Sequence, residues 1–294
     1  MPALDPAALA AAAALGGLAA FRHYACGVEP RRVQVTSLDV PCERLPRDLD
    51  GVRICQVSDL HITDPPRNAD AIAQAIRQTP ADLYALTGDM IHLDTGIAAF
   101  LAWVDALGDA IRPAVAVLGN AEHKPHVRLG HVLGGLASRG IPLLANRAIR
   151  IPVGRGRLQV VGVDDPHTRM SDFERAYADA RPDLWTLLLC HSPDGLAEAG
   201  SRRADLMLCG HTHGGQIRLP GLGALWANTH TVRGFTQGLH GPESLARIAP
   251  GVRRLYVSRG LGTGRFACRF LCPPELPVFT LRAAPPAAPG REAA

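Results

Sequence analysis

Nowhere in this chain do lysines and arginines gather into a block or alternate with aromatic residues, and 31 Lys and Arg against 27 Asp and Glu leave a formal charge of only +4. Nucleic acid is therefore not an expected partner. The slight basic excess suits an anionic substrate or a membrane surface. The seven cysteines show no Cys-x-x-Cys pair and no regular framework, so a disulfide scaffold is not expected and a reducing compartment is the simpler reading. Cys55, Cys190 and Cys209 lie in apolar runs and read as small core residues. Cys268 and Cys272 are close enough in sequence to approach one another, or to remain thiols. No internal repeat is visible.

The amino end also lacks what a secretory signal needs, because only Asp5 precedes the apolar run Ala7 to Phe21 where a positive region is required. At about fifteen residues that run is short of the roughly twenty that span a bilayer. Arg22, Arg31 and Arg32 follow it, and this bias favours keeping the next domain in the cytoplasm. Residues 1–32 are expected to act as a membrane anchor on the cytoplasmic side of the inner membrane. A soluble or surface-lying helix and a cleaved signal are the alternatives, the first making the protein soluble and cytoplasmic.

Five apolar runs each end in groups that bind metals. Val52 to Val57 leads into Ser58-Asp59-Leu60-His61, Asp82 to Thr87 into Gly88-Asp89, and Ala114 to Leu118 into Gly119-Asn120. Trp185 to Cys190 leads into His191, and Ala204 to Leu208 into Cys209-Gly210-His211-Thr212-His213. Each reads as a buried strand, and in a layered α/β sheet the carboxyl ends of the strands are where ligands bind. The ligands run from Asp59 to His213, so a domain cut between them would split the site. A single catalytic domain, residues 33–282, is expected, with residues 283–294 as a disordered Ala/Pro tail.

Between these runs, Val33 to Val40 alternates like an edge strand, with Pro41 to Asp50 as a linker behind it. Helical spacing marks Asn68 to Gln78, capped by Asn68 and stopped by Pro80, then Ile97 to Leu107 and His126 to Ala137. Leu158 to Val163, Leu255 to Val257 and Pro277 to Leu281 add strands. Short helices are expected near Asp172 to Asp179 and Gly195 to Ala199.

The ordered blocks Asp59-x-His61, Gly88-Asp89, Gly119-Asn120, His191 and Gly210-His211-x-His213 resemble the signatures of the calcineurin-like metallophosphoesterases, from about Val52 to about Leu281. Gly162-Val163-Asp164-Asp165-Pro166, Gly214-Gly215-Gln216 and Val257 to Thr263 resemble its bacterial branch of YkuE- and YaeI-like phosphodiesterases, which is also similar to membrane-linked hydrolases of UDP-2,3-diacylglucosamine. The resemblance implies an α/β fold, a four-layer calcineurin-like sandwich of two mixed β-sheets flanked by helices. It also implies two divalent ions, one taking Asp59, His61, Asp89 and His213, the other Asp89, Asn120, His191 and His211.

The ligand types carry the same chemistry on their own. Two cations roughly 3.5 to 4 Å apart acidify a shared water, aim it in line at phosphorus and neutralise the phosphoryl oxygens. A carboxylate with two oxygens suits the bridge, and Asp89 is the candidate. Oxygen and imidazole without thiolate favour Mn, Fe, Co, Ni or Zn over Mg or Ca, with manganese as the first choice. No Ser or Cys stands where a nucleophile should be.

Relatives often carry a histidine after the Asn, as a general acid, where this chain has Ala121. Either His123 or His167 takes that role from a displaced position, His123 being the first choice, or the leaving group needs no proton. His92, His126, His131, His230 and His240 are assigned nothing. Asp164, Asp165, His167 and Arg169 are expected to overhang the cleft. Arg259, Arg265 and Arg269 are candidates to clamp a phosphate, with salt bridges to Asp164 or Glu275 as the alternative. The expected function is that of a dinuclear phosphoesterase or phosphodiesterase, with a lipid-linked or nucleotide diphosphate as favoured substrate. A soluble-nucleotide phosphodiesterase and a non-catalytic calcineurin-like scaffold are the alternatives.

Overall fold

Because successive side chains of a strand point to opposite faces, a strand that is apolar throughout needs cover on both sides. The structure, a computed structural model describing residues 5–232, 234–264 and 266–284, meets this need with four layers. In chain order the elements are α1 (Pro6–His23), β1 (Gln34–Cys42), β2 (Arg53–Val57), α2 (Ala69–Arg77), β3 (Leu83–Thr87), α3 (Gly96–Leu107), β4 (Ala114–Val117) and α4 (Leu129–Ser138). There follow β5 (Arg147–Val153), β6 (Gly156–Gly162), α5 (Phe173–Tyr177), β7 (Thr186–Leu189), α6 (Leu196–Ala199) and β8 (Leu206–Cys209). The last part holds β9 (Arg218–Leu219), β10 (Gly223–Ala224), β11 (Gly238–His240), α7 (Pro242–Leu245), β12 (Leu255–Val257) and β13 (Glu275–Ala283).

One sheet has the order β1-β13-β2-β3-β4 and the other β11-β12-β8-β7-β6-β5, each mixing parallel and antiparallel pairs, while β9 and β10 form a separate hairpin. Ile54, Leu83, Ala85, Val115 and Phe279 of the first sheet meet Leu158, Val160, Leu187 and Leu208 of the second. On the outer face of the first sheet, Val57, Leu86 and Ala116 pack under Ile72 and Ile76 of α2, Phe100 of α3 and Leu136 of α4. On the outer face of the second, Val161, Leu188 and Met207 pack under Phe173, Leu196 and Leu245 of the short helices. Each such fully buried aliphatic contributes about 1.5–3 kcal/mol relative to exposure.

The parallel register aligns the ligand-bearing ends. Val57 pairs with Leu86, Thr87 with Val117, Gly162 with Leu189, and Leu189 with Leu208. Gln56, buried between the sheets, ties the two edges together: its Nε2 donates to Thr87 Oγ1 at 2.9 Å and to the Cys209 carbonyl at 2.9 Å.

Four expectations need correction. β1 runs through Pro41 to Cys42 because β13 pairs with it to Ala283, so the linker is shorter, and the expected tail loses its first residue to a strand. Residues 285–294 and 1–4 lie outside the described residues. Asn68 occupies the cap position of α2 but makes no cap; its Nδ2 donates to the carbonyls of Pro30 and Leu261, each at 2.9 Å. The third helix begins at Leu129, after a turn. Finally, the cysteines are not all reduced: Cys26 is bonded to Cys268, while Cys272 is a buried thiol donating to the His213 carbonyl. Sequence proximity misled, because the amino segment comes back over residues 268–272. Glu29 is buried there and accepts from the backbone of Leu271 at 3.0 Å and Cys272 at 2.5 Å.

Candidate metal centre

Each ligand strand ends in an abrupt turn, and after β2, β3 and β8 the turn takes the ligand residues into the left-handed region. Asp59 (φ 53), His61 (φ 43), Asp89 (φ 50), His211 (φ 69) and His213 (φ 52) all lie there, where non-glycine residues are uncommon and strain collects at functional sites. Room is made by glycine. A Cβ on Gly88 would stand 2.7 Å from both the Gly119 nitrogen and His191 Nδ1, and one on Gly210 would overlap Ser58 Oγ and the Asp59 carboxylate.

The turns bring six of the seven candidate ligands into direct mutual contact. Asp89 stands at the centre, with Oδ2 3.3 Å from His61 Nε2 and Oδ1 3.4 Å from His191 Nε2. Its two oxygens thus face the two halves of the cluster. In one half His213 Nε2 lies 3.1 Å from His61 Nε2 and 3.5 Å from Asp59 Oδ1; in the other His211 Nδ1 lies 3.2 Å from His191 Nε2. The seventh, Asn120, has a buried Oδ1 with no hydrogen-bond partner among the described residues.

The donor set fits cations. Two imidazole nitrogens 3.1 Å apart repel unless a proton or a cation lies between them, and the oxygen and nitrogen donors with no thiolate match borderline divalent ions. Asp59, His61 and His213 converge as one possible ion-binding group and Asp59, Asp89 and His191 as another. The neighbours orient the rings: His191 Nδ1 lies 2.7 Å from the Thr87 carbonyl, so it carries the proton and leaves Nε2 free for a cation. Asn228 Nδ2 stands 3.1 Å from His211 Nε2 and holds that ring in place. Ser58 Oγ donates to Asp59 Oδ2 at 2.7 Å.

Burial sets the charges. It pushes His61 down to about 4 and holds His211 and His213 well below the usual histidine value, so these rings present lone pairs. Burial pushes Asp59 up to about 6. For Asp89 burial works the same way but is overcome by His191 and His61, which hold the carboxyl well below its ordinary range. Correspondingly, burial opposes the charge of His191, yet Asp89 raises it well above the histidine value.

Two supporting residues escaped the sequence reading and a third was given another role. Glu122 is buried and accepts from the backbone N–H groups of Asp89, Met90, Ile91 and Gly119 at 2.8–3.2 Å. Burial and then the charge of Asp89 push it up to about 7. Asn228 lies in an irregular loop with no periodic signal. Arg269 was expected as a phosphate clamp, but it is fully buried and its guanidinium donates to the carbonyls of Arg259, Gly260, Gly262 and Cys272. It stands 3.5 Å from His213 Nδ1 and positions the ligand loop from behind. Arg259 pairs with Glu275 at 3.3 Å, the salt-bridge alternative, and Arg265 lies outside the described residues.

Ala121 donates from its backbone to Asp89 Oδ1 at 2.7 Å, and of the two substitute histidines His167 touches the cluster at His211 while His123 is held by Asp164. His123 Nε2 is 2.6 Å from Asp164 Oδ1, a hydrogen bond that raises the histidine. His167 packs its ring 4.6 Å from that of His211 and 4.6 Å from that of His230. Of the histidines assigned nothing, His92 also lies close, with its ring 5.5 Å from that of His61. Asp164 and Asp165 are buried supports rather than overhanging groups, and Arg169 is exposed.

Two mixed sheets between helices, with carboxylates and imidazoles gathered where the strands end, define a metal-dependent hydrolase. The chain belongs to the calcineurin-like phosphoesterase family, whose model matches residues 52–215. It is 33% identical to Phosphodiesterase YaeI of Escherichia coli over 72% of this chain and 74% of that one. It is 27% identical to the uncharacterized metallophosphoesterase YkuE of Bacillus subtilis over 88% and 89% of the two chains. To the UDP-2,3-diacylglucosamine pyrophosphatase LpxG of Chlamydia trachomatis it is 25% identical, over 86% and 90%. Membership makes it a metal-dependent phosphoric ester hydrolase.

Proposed function

We propose that the protein is a dinuclear phosphodiesterase or pyrophosphatase acting on lipid-linked or nucleotide diphosphates such as UDP-2,3-diacylglucosamine. The observation that carries this reading is Asp89, whose two oxygens face opposite halves of the cluster at 3.3 and 3.4 Å. Asp59, His61, Asp89 and His213 would hold one ion, and Asp89, Asn120, His191 and His211 the other. When bound, such ions, manganese first among them, acidify water and neutralise phosphoryl charge. The chain's own part is to orient these donors, through Thr87, Asn228, Glu122 and Arg269, and to deliver a proton to the leaving oxygen.

His123 is assigned that proton. Its Nε2 is held by Asp164, and that hydrogen bond favours the protonated form a general acid starts from. A diphosphate leaving group depends on it least. The phosphodiesterase and pyrophosphatase relatives support the substrate class, and the complete cluster weighs against a scaffold role. The test is turnover of aryl phosphodiesters, cyclic nucleotides and UDP-diacylglucosamine by metal-reconstituted protein. Turnover removed by a chelator and restored by Mn²⁺ supports the reading; turnover indifferent to chelation sinks it.

Location is tested separately. The arginines after α1 favour the cytoplasmic face of the membrane, whereas the Cys26–Cys268 bond favours an oxidising compartment. Among the described residues no helix is long and apolar enough to cross a membrane. Protease accessibility in spheroplasts distinguishes the two faces.

A further inference from the structure

The β9–β10 hairpin stands with both feet on the metal centre. It leaves from His213 through Gly214-Gly215 and comes back to Asn228, 3.1 Å from His211 Nε2. Its outer surface is apolar and open to solvent along its length: Leu222 in the turn is 75% exposed, and on the returning chain, opposite Ile217 and Gly215, Leu225 is 55% and Trp226 76% exposed. A loop that serves only to hold ligands would not place its largest apolar side chains outward.

This apolar surface continues. Arg218 donates from its backbone to the Phe270 carbonyl at 2.9 Å and Phe270 donates to the Gln216 carbonyl at 2.9 Å, which joins the hairpin to residues 268–272, where Leu271 is also exposed. The Phe270 ring in turn meets Phe21 at 5.0 Å, at the end of α1, and Cys268 is bonded to Cys26. Helix α1 has no charged residue between Asp5 and Arg22, and all its described side chains are exposed, Leu15 at 68% and Leu18 at 64%. A helix that is apolar all round is not built to lie in water.

The charges around this face choose its partner. Arg22, Arg31 and Arg32 are exposed at the foot of α1, whereas Glu29, the acid between them, is buried against the backbone of Leu271 and Cys272. Uncovered cations beside an apolar surface match anionic headgroups above acyl chains. A second copy of the chain would set the same arginines against one another.

We propose that α1 and the β9–β10 hairpin together seat the protein on an anionic lipid bilayer, with Leu222 and Trp226 entering the acyl boundary. The cluster then takes phosphate esters from lipid headgroups at the membrane surface; this second half rests on the phosphoesterase reading. Because the hairpin's feet touch His211 and His213, docking and the site share one element.

The chain carries its own reporter. Of its three tryptophans, Trp103 and Trp185 are buried at 7% and 2% exposure, so only Trp226 can change its solvent contact on docking. Full-length protein is titrated with vesicles of phosphatidylglycerol and phosphatidylcholine, of phosphatidylcholine alone, and with brominated acyl chains. The expected result is a blue shift and bromine quenching on anionic vesicles, weakened by salt. Leu222→Asp reduces partitioning about tenfold or more while turnover of a soluble aryl phosphodiester stays at the parent level. Absence of a shift on every vesicle, a shift that L222D leaves intact, or lipid-free dimerisation abolished by L222D would each overturn the proposal, the last assigning the face to a second copy. Vesicle binding by a parent protein without turnover supports the docking face and counts against the phosphoesterase reading alone.

Discussion

The two halves of the metal centre are braced by buried side chains of opposite kind, an acid and a guanidinium. Behind Asp89 and Asn120, the Glu122 carboxylate gathers four backbone N–H groups; behind His213, the Arg269 guanidinium gathers four residues' carbonyls. Ladder bonds do not reach the backbone groups in these turns, so a buried polar side chain satisfies them in each half. The difference lies in how the brace arrives. Glu122 follows Asn120 by two residues on the same turn, whereas Arg269 comes from 56 residues beyond His213, on a segment fixed by Cys26 and Glu29. One half is self-contained; the other depends on the amino segment.

The residue that joins the halves gives the largest expected effect. Asp89→Asn should lower turnover by about 10³-fold or more, since several kcal/mol of charge stabilisation is lost, with elemental analysis showing reduced metal content. Near-parent turnover and full metal loading would mean that the halves work without a shared carboxylate. Next, Arg269→Met leaves buried carbonyls without donors and should cost about 3 kcal/mol of stability. Glu122→Gln keeps an acceptor on the turn and should cost about 1–2 kcal/mol. Thermal unfolding of the two variants, with metal content, measures the contrast; equal losses would erase it.

A smaller effect is expected for His123→Ala, about 10²-fold on an alkyl phosphodiester and much less on an activated aryl one. Equal small losses on both substrates would remove His123 from the chemistry. The smallest effect is on pH dependence. Asp164 raises His123 above its ordinary 6.5, so the folded state holds this proton more tightly than the unfolded one. The stabilisation is therefore complete below about pH 6.5 and is lost as pH rises through the higher, folded value. In urea unfolding, the stability gap between parent and Asp164→Asn should narrow on the alkaline side; a gap that widens there would reverse the assignment.

Why one half was easier to read than the other follows from the same contrast. Strand-end ligands were legible because each follows an apolar run whose burial is written into its composition, as in Leu206 to Cys209 before His211. Position alone hid Glu122, one acid among many until its four amides are seen. Arg269 was visible as an arginine but misread, because nothing local shows that Gly262 and Cys272 aim their carbonyls at it. β5 was not expected; it carries Pro152, which is tolerated at a sheet edge, where that strand lies. Cys26 found its partner 242 residues away, beyond the reach of any spacing rule.

That distant pairing gives the molecule a topology that its linear sequence conceals. With β1 lying alongside β13 and a covalent link spanning 242 positions, nearly the whole catalytic region is a closed ring. A single nick anywhere within the ring opens it without parting the pieces, and only a reductant then lets them separate on a denaturing gel.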